Sequence, residues 1–177
     1  MEPVRNKKIL IIDDDEDVRQ ALSIKLKTQG YSILEAADGN SGLQILTAEL
    51  PDMVMVDVHM PGMDGFEFCE RAAKLKSKKH IPVMVMTAQD DQASVNKAYE
   101  KGATDFITKP VNYAKLEHRL RFSIRSSETA EKLASRERQL SSAQKIAKMG
   151  AGFMTLVKKS FTVLMKSPIS SISIREG

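Results

Sequence analysis

The sequence predicts an α/β fold in which five strands of a parallel sheet alternate with five helices. Through the first 112 residues, short apolar runs alternate with longer segments of helical periodicity, which is the pattern of repeated strand–helix units. The apolar runs are nearly continuous, as strands covered on both faces require. With 42% apolar and 28% charged residues among 177, the composition excludes wholesale disorder, collagen-like repeats and a disulfide scaffold.

Each predicted strand is a short run rich in β-branched residues, leucine or methionine. The five runs are residues 8–12, 31–35, 53–56, 82–86 and 104–107. Helical segments fill the gaps between them. We therefore expect consecutive strands to run parallel, each joined to the next by a crossover helix.

Four helices are predicted between the strands. In the first, Val18, Leu22 and Leu26 recur at helical spacing, and Asp15 and Asp17 are expected to cap its N-terminus. The other three are residues 42–50, 66–76 and 93–101. The third helix is expected to carry, on one side, Phe66, Cys69, Ala73 and Lys76.

A fifth helix is predicted from Tyr113 to about Met149, because this stretch has no proline or glycine and its apolar residues are spaced by three, four or seven. Leu133, Leu140 and Ala147 keep a strict heptad, which favours a parallel coiled coil. Polar residues occupy many intervening positions. A solvated linker helix is therefore the alternative.

Two interpretations stay open for residues 150–177. Phe153 and Val157 begin a helix-spaced apolar face, whereas Phe161 and Val163 begin an alternation typical of a strand. Serines and Pro168 near the end predict disorder. The segment is also consistent with the truncated start of a further domain.

The net charge of +4 conceals an asymmetry along the chain. Residues 1–112 carry 14 Lys/Arg against 18 Asp/Glu, net −4, and residues 113–177 carry 13 against 5, net +8. Clustered basic residues attract nucleic acids and anionic membranes. No nucleic-acid recognition motif accompanies them, and residues 153–165 offer no clean apolar face for a membrane, so neither partner is favoured.

Cysteine usage and the N-terminus predict a cytoplasmic protein. Cys69 is the single cysteine and cannot pair within the chain. The N-terminal apolar run, residues 9–12, is followed by five consecutive acidic residues. Neither a secretory signal nor a membrane-spanning helix is therefore predicted.

Polar residues with related chemistry follow the carboxyl ends of the predicted strands. Asp13 and Asp14 follow the first strand, Asp57 the third and Thr87 the fourth, and Lys109 lies just beyond the fifth. Ligands bind beyond these ends in an open parallel α/β sheet, so we expect the side chains to meet. Grouped carboxylates need a cation, and oxygen ligands without nearby His or Cys favour Mg²⁺.

A phosphoryl group is the ligand that fits this pocket best. Lys109 supplies a compact positive charge, and Thr87 supplies a hydroxyl for a phosphoryl oxygen. Asp57 stands alone at the end of a buried strand and is the candidate acceptor, because carboxylates can attack phosphorus as nucleophiles. Asp13 and Asp14 would then hold the metal.

Four segments together resemble the receiver domain of two-component response regulators: residues 8–14 (KILIIDD), 56–65 (VDVHMPGMDG), 86–88 (MTA) and 102–110 (GATDFITKP). The resemblance covers about residues 6–125 and implies a receiver domain at 1–125, followed by a helical linker at 126–149. It also implies a flavodoxin-like doubly wound fold with strand order 2-1-3-4-5.

The resemblance assigns roles residue by residue at the metal and phosphate site. Asp57 matches the phosphoacceptor, and Asp14 and Asp57 match the direct Mg²⁺ ligands. His59 matches the donor of a backbone carbonyl to the metal, and Asp13 matches an acid that acts through metal-bound water. Lys109 matches the lysine that contacts the phosphate.

The resemblance also implies a conformational switch. Thr87 matches the hydroxyl that moves toward the phosphoryl group, and Phe106 matches the aromatic side chain that then rotates inward. His59 and Gln89 occupy the two variable positions that tune hydrolysis of the acyl phosphate. A cis peptide bond is implied before Pro110.

The implied function is a phosphoacceptor switch rather than a turnover enzyme. Its implied partner is a sensor histidine kinase or a phosphotransfer protein, and a homodimer through the fifth helix and its extension is consistent with the heptad. A haloacid-dehalogenase-like phosphatase is one alternative, but it would need a second aspartate two residues after Asp57, where His59 stands. The others are a receiver-linked DNA-binding regulator and a scaffold with a silent pocket.

Overall fold

Five strands and five helices alternate along the described part of the chain. The computed structural model describes residues 6–75, 80–88 and 92–166, with the backbone alone at 92, 94, 146–147, 149–153 and 160–166. The strands are β1 (Lys8–Ile12), β2 (Ser32–Ala36), β3 (Met53–Asp57), β4 (Val83–Ala88) and β5 (Asp105–Lys109). The helices are α1 (Glu16–Thr28), α2 (Gly39–Glu49), α3 (Gly65–Lys74), α4 (Gln92–Glu100) and α5 (Tyr113–Lys166).

The strands form one parallel sheet in the order β2-β1-β3-β4-β5, which confirms the predicted doubly wound α/β fold. Side chains alternate between the two faces of a strand. On one face of β1, Ile9 and Ile11 pack with residues of α1 and α5. On the other face, Leu10 and Ile12 pack with residues of α2, α3 and α4.

Aspartate side chains start the first two helices. Asp15 precedes α1 and accepts hydrogen bonds from the backbone amides of Asp17 and Val18, as predicted. Asp38 accepts hydrogen bonds from the amides of Asn40 and Ser41. Helix α2 therefore begins at Gly39, three residues before the predicted start at 42, because a capping carboxylate satisfies the first free amides.

Helix α3 buries more than the predicted side. Phe66 and Cys69 of that side are buried, whereas Ala73, near the end of the helix, is exposed. Phe68 is fully buried as well. A phenyl ring gains far more from leaving water than a methyl group does, so it sets how the helix rotates onto the sheet. Lys76 lies outside the described residues.

Helix α5 is longer than the sequence predicts. The predicted end lies near Met149, but the helix continues through Gly150 and runs from Tyr113 to Lys166. A glycine inside a helix costs about 1 kcal/mol relative to alanine, which is too little to end a helix flanked by helix-forming residues. The two interpretations of residues 153–165 are thereby resolved in favour of the helix, and residues 167–177 lie outside the described part.

The first part of α5 belongs to the same compact unit as the sheet. The chain divides into two compact units at Glu131 and Lys132, and the last turns of the first unit contact its body. Glu128 forms an ion pair with Lys7 at 2.7 Å, and the His80 amide donates to Glu131 at 2.9 Å. Residues 126–131 of α5 therefore belong to the first compact unit. In the described residues, no helix is both long and apolar enough to span a membrane.

Candidate functional site

Three aspartates lie together at the carboxyl edge of the sheet. Asp13 follows β1 directly, Asp14 is the next residue, and Asp57 is the last residue of β3. Each offers a carboxylate oxygen within 4.8 Å of the other two. Asp13 and Asp57 are buried, with 0% and 5% of their surface exposed, whereas Asp14 is exposed. The site therefore combines two buried carboxylates with a third that is exposed to solvent.

Lys109, the last residue of β5, reaches two of these carboxylates. Its Nζ lies 2.7 Å from Asp13 Oδ2 and 2.6 Å from Asp57 Oδ1. Burial alone would lower the pKa of Lys109, but its bonds to Asp13 and Asp57 outweigh burial and raise that pKa. The ammonium group is therefore charged throughout the physiological range.

Backbone amides hold the two buried carboxylates in place. The His59 amide donates to Asp57 Oδ2 at 2.8 Å, and the Asp15 amide donates to Asp13 Oδ1 at 3.0 Å. Burial nevertheless raises the pKa of Asp57, because it outweighs the stabilisation of the carboxylate by Lys109 and the His59 amide; the nearby Asp13 charge raises it further. The ionised form of Asp57 is thus costly in this site.

The charges of the site fit a divalent cation. Three carboxylates and one ammonium group leave a formal charge of −2 on Asp13, Asp14, Asp57 and Lys109 together. Like charges this close raise the free energy of the ionised state unless a cation compensates. Hard oxygen donors with an open, exposed side suit Mg²⁺, which keeps several waters and accepts only one or two carboxylates.

Thr87 contributes a buried hydroxyl without a partner. The residue is 1% exposed, and its Oγ1 has no hydrogen-bond partner among the described residues. It lies in β4, which pairs with β3 so that Asp57 is opposite Met86, the residue before Thr87. A buried hydroxyl without a partner costs about 1–3 kcal/mol. An oxygen arriving beside Asp57 would supply that partner.

Phe106 is held at the surface of β5 by two neighbours. The ring is half-buried and meets the Tyr99 ring edge-to-face, with centroids 6.2 Å apart. The Arg119 guanidinium lies 5.0 Å from the Phe106 centroid and forms an ion pair with Asp105. Helices α4 and α5 are thus in direct contact with Phe106, the residue predicted to rotate.

Gly65 packs directly against the backbone of Asp57, a role that sequence reasoning missed. A Cβ placed on Gly65 would lie 2.3 Å from the Asp57 carbonyl oxygen and 3.0 Å from Val58 Cα. The Gly65 amide also donates to the Val58 carbonyl at 3.0 Å. The glycine therefore allows the start of α3 to approach the acceptor strand closely.

Gly65→Ala should displace Asp57 rather than merely destabilise the chain. The new methyl group meets backbone atoms, which cannot swing aside, so we expect a loss of about 2 kcal/mol in unfolding free energy and weaker Mg²⁺ binding. Urea unfolding and Mg²⁺ titration would measure both quantities. Gly62→Ala is the control for lost stability: Gly62 has φ of +77°, so alanine is strained there too, but nothing lies within 4 Å of its added Cβ, and Mg²⁺ affinity should be unchanged. Unchanged Mg²⁺ affinity in Gly65→Ala would contradict this role.

The structure brings some of the predicted site residues together and places others apart. A cis peptide bond joins Lys109 to Pro110, as the resemblance implies. The structure brings together Asp13, Asp14, Asp57 and Lys109, whereas Phe106 lies apart from them on the outer side of β5, against Tyr99 and Arg119. His59 contacts Asp57 through its amide, and its carbonyl remains a predicted metal ligand. Gln89 lies outside the described residues.

Known proteins have sequences similar to that of this chain. The AfsQ1 transcriptional regulatory protein of Streptomyces coelicolor is 38% identical over 120 residues, which cover 68% of this chain and 52% of AfsQ1. Response regulator PleD of Caulobacter vibrioides is 37% identical over 130 residues, 73% of this chain and 29% of PleD. The chain thus spans about half the length of AfsQ1 and less of PleD.

Solved structures agree with the sequence comparisons. The chemotaxis protein CheY4 of Vibrio cholerae superposes with a TM-score of 0.63 and 30% identity, covering 67% of this chain and 98% of CheY4. The family model described as the response regulator receiver domain matches residues 9–121, well over half of the chain. With the strand order and the acidic cluster on the same rim, the chain belongs to the response regulator receiver domain family.

Proposed function

We propose that Asp57 of this chain accepts a phosphoryl group from the phosphohistidine of a sensor kinase or a phosphotransfer protein, with Mg²⁺, and that the chain then changes conformation. Receiver domains are generally switches of this kind and bind Mg²⁺ at an acidic pocket. One observation carries the proposal: a buried Asp57 carboxylate bonded to Lys109, in a site whose strand neighbour offers an unpartnered Thr87 hydroxyl.

The proposed reaction moves one phosphoryl group between two side chains. An Asp57 carboxylate oxygen attacks phosphorus, an O–P bond forms, and the P–N bond to the donor imidazole breaks. The imidazole nitrogen keeps the bonding electron pair and leaves as the neutral ring after protonation. Lys109 already touches Asp57 Oδ1 and can follow the phosphoryl oxygens, where a fixed positive charge stabilises the transition state.

The acidic residues would hold the metal in this reaction. Asp14 and Asp57 would ligate Mg²⁺ directly together with the His59 backbone carbonyl, and Asp13 would act through a metal-bound water. When bound, the ion supplies positive charge that neutralises the phosphoryl oxygens. Asp13 keeps its own contact with Lys109 at 2.7 Å, which holds the lysine between the two sites of negative charge.

We also propose that the chain acts as a phosphoacceptor and not as a turnover enzyme, and that it lies in the cytoplasm. In this proposal a receiver domain at 1–125 is followed by a linker helix from 126. A second copy of the chain is a proposed partner through α5 and its extension. The phosphatase alternative is not favoured, because the family match and the His59 position both argue against it.

The experiment that tests the function is intact-mass spectrometry after incubation with acetyl phosphate and Mg²⁺. We expect the mass of one phosphoryl group to be added, and the adduct to be lost in hydroxylamine, which cleaves acyl phosphates. No adduct, or one that resists hydroxylamine, would contradict the proposal. Sustained hydrolysis of a phosphomonoester would instead favour the phosphatase.

Thr87→Val should stabilise the chain before phosphorylation and disable the switch after it. Valine has nearly the shape of threonine and removes the unpartnered hydroxyl, so the unfolding free energy should rise by about 1 kcal/mol. The phosphoryl group would then lack its hydrogen-bond donor in β4. Hydrogen exchange of α4, β5 and α5 with and without beryllofluoride would measure the response.

Thr87→Ser is the matched control for this prediction, because it keeps the hydroxyl and removes only the methyl group. Its exchange response to beryllofluoride should resemble that of the unaltered chain. The role of Thr87 would be refuted by a full exchange response in Thr87→Val, or by a loss of stability in that variant comparable to the loss of a buried hydrogen bond.

A further inference from the structure

The second compact unit carries an apolar stripe whose described side chains are exposed. From residue 132 to 159, every side chain that the structure describes is exposed. Leu133, Leu140, Met154 and Val157 have 57%, 65%, 61% and 47% of their surface exposed. Isolated helices gain most of their stability by packing an apolar face. A helix of this length with five large exposed apolar residues, these four and Leu156, therefore calls for a partner.

The spacing of the stripe is that of a heptad repeat. With Leu133 at position a, the a positions continue through Leu140 and Met154, and the d positions include Ala143 and Val157. The sequence extends the register at a and d positions whose side chains lie outside the described part: Ala147, Gly150, Phe161 and Leu164. Nine of ten consecutive a and d positions from 133 to 164 are therefore apolar or glycine, the exception being Arg136.

Charge is distributed around the helix in the way that pairing of two helices requires. Between 132 and 166 the chain has eight Lys/Arg and one Asp/Glu, so two copies would repel if these charges met. Five of the eight instead lie away from the a and d positions that form the seam: Arg138, Lys145, Lys159 and Lys166 at f, and Lys148 at b. The other three, Lys132, Arg136 and Lys158, lie at or beside the seam. Lys132 at g and Glu137 at e flank the first a position, and g and e residues of opposite charge attract across a parallel pair.

We propose that a second copy of this chain covers the stripe, and that residues 133–164 of the two copies form a parallel, in-register, two-stranded coiled coil. In this arrangement Lys132 of each helix faces Glu137 of the other. In an antiparallel pair, g positions lie opposite g positions, so this pairing of opposite charges is lost. A strict 3.5-residue repeat over several heptads also predicts a left-handed supercoil. This pairing rests on the second-copy partner of the proposed function and specifies its geometry, but it does not require phosphorylation of Asp57.

Arg136 is the charged residue among the a and d positions from 133 to 164, which form the seam of the proposed coiled coil. At position d it would face Arg136 of the second copy, and a polar residue at a core position costs stability while fixing the register. The long side chain can carry its charge outward toward Glu137 of the second helix. A pairing of limited strength follows, and Arg136→Leu should strengthen it.

The test is the molar mass of the full chain by light scattering at micromolar concentrations, with a matched pair of variants. The unaltered chain should show twice 19.7 kDa. Leu140→Lys should raise the dimer dissociation constant at least about 100-fold, and Arg136→Leu should lower it. Leu156→Lys is the control: Leu156 is as exposed as Leu140, at 66% against 65%, but lies at position c, off the seam.

Cysteine cross-linking tests the orientation. Leu133→Cys and Met154→Cys should each form a disulfide with the same position of the second copy in a parallel coil. An antiparallel pair centred between the two positions would instead bring position 133 of one copy beside position 154 of the other, so a disulfide would form only in a mixture of the two variants. The native Cys69 will not compete, because it is 1% exposed and burial raises its pKa to about 12.

Besides the antiparallel cross-linking pattern, three results would overturn the proposal. A monomer at every concentration would exclude a second copy as the occupant, and equal dimerisation of Leu140→Lys and Leu156→Lys would place the interface elsewhere. A monomer that sediments with anionic phospholipid vesicles through the same leucines would assign the stripe to a lipid surface. The mass readout is separate from the phosphoryl adduct, so failure of pairing and failure of phosphorylation are distinguished.

Discussion

Replacing Asp57 by asparagine is expected to abolish formation of the hydroxylamine-labile phosphoryl adduct while the chain remains folded. The amide keeps the shape of the carboxylate and can still accept the hydrogen bond from the His59 amide, but its oxygen is a far weaker nucleophile. Asp13 is not expected to take over as acceptor, because it is fully buried and is bonded to Lys109. Intact mass after acetyl phosphate treatment measures the outcome.

Asp15→Asn is the matched control for Asp57→Asn. Asp15 lies next to the acidic cluster, and its replacement by asparagine removes the same negative charge. The Asp15 side chain caps α1, and asparagine caps helices as well as aspartate does. The control should form the adduct at nearly the normal yield. Equal yields from Asp57→Asn and Asp15→Asn would show that the acceptor lies elsewhere in the chain.

Lys109→Ala is expected to lower the rate of phosphorylation by at least about 100-fold, the usual cost of removing one group that stabilises a transition-state oxyanion. The substitution also leaves Asp13 and Asp57, both buried, without their cation. Breaking a buried ion pair in this way costs about 3 kcal/mol. The measurements are the rate of adduct formation and urea unfolding in the presence of a chelator.

Mg²⁺ binding separates the electrostatic role of Lys109 from general damage to the fold. Removing the ammonium changes the formal charge of the cluster from −2 to −3, so Lys109→Ala should bind Mg²⁺ at least as tightly as the unaltered chain. Lys97→Ala serves as a control lysine, because Lys97 lies over the Phe66 ring and not in the cluster. Weaker Mg²⁺ binding together with a normal phosphorylation rate in Lys109→Ala would contradict the account.

Much of the fold followed from the pattern of apolar residues. The predicted first strand matches β1 to the residue, because its KILII run ends abruptly at consecutive aspartates. The last three strands were predicted one or two residues short at their carboxyl ends, since Asp57, Thr87 and Lys109 are polar and periodicity alone does not include them. In the structure, pairing with the neighbouring strand extends β3, β4 and β5 far enough to include these three residues.

The gathering of polar residues at the strand ends could be predicted from topology, because parallel strands bring their carboxyl ends to one rim. Contacts made only in three dimensions could not be predicted. The close approach of Gly65 to Asp57 and the position of Arg119 over Phe106 join residues from different elements. The same holds for Phe68, whose burial depends on how α3 rotates against the sheet.

The central claim is that Asp14, Asp57, Thr87 and Lys109 act on one phosphoryl group at one Mg²⁺ site. A crystal structure of the full chain grown with Mg²⁺ and beryllofluoride tests it most directly, since this compound imitates a phosphoryl group on a carboxylate. We predict beryllium bonded to Asp57, fluorine atoms within hydrogen-bond distance of Thr87 Oγ1 and Lys109 Nζ, and Mg²⁺ ligated by Asp14. Beryllofluoride on another side chain, or Mg²⁺ away from Asp14 and Asp57, would contradict it.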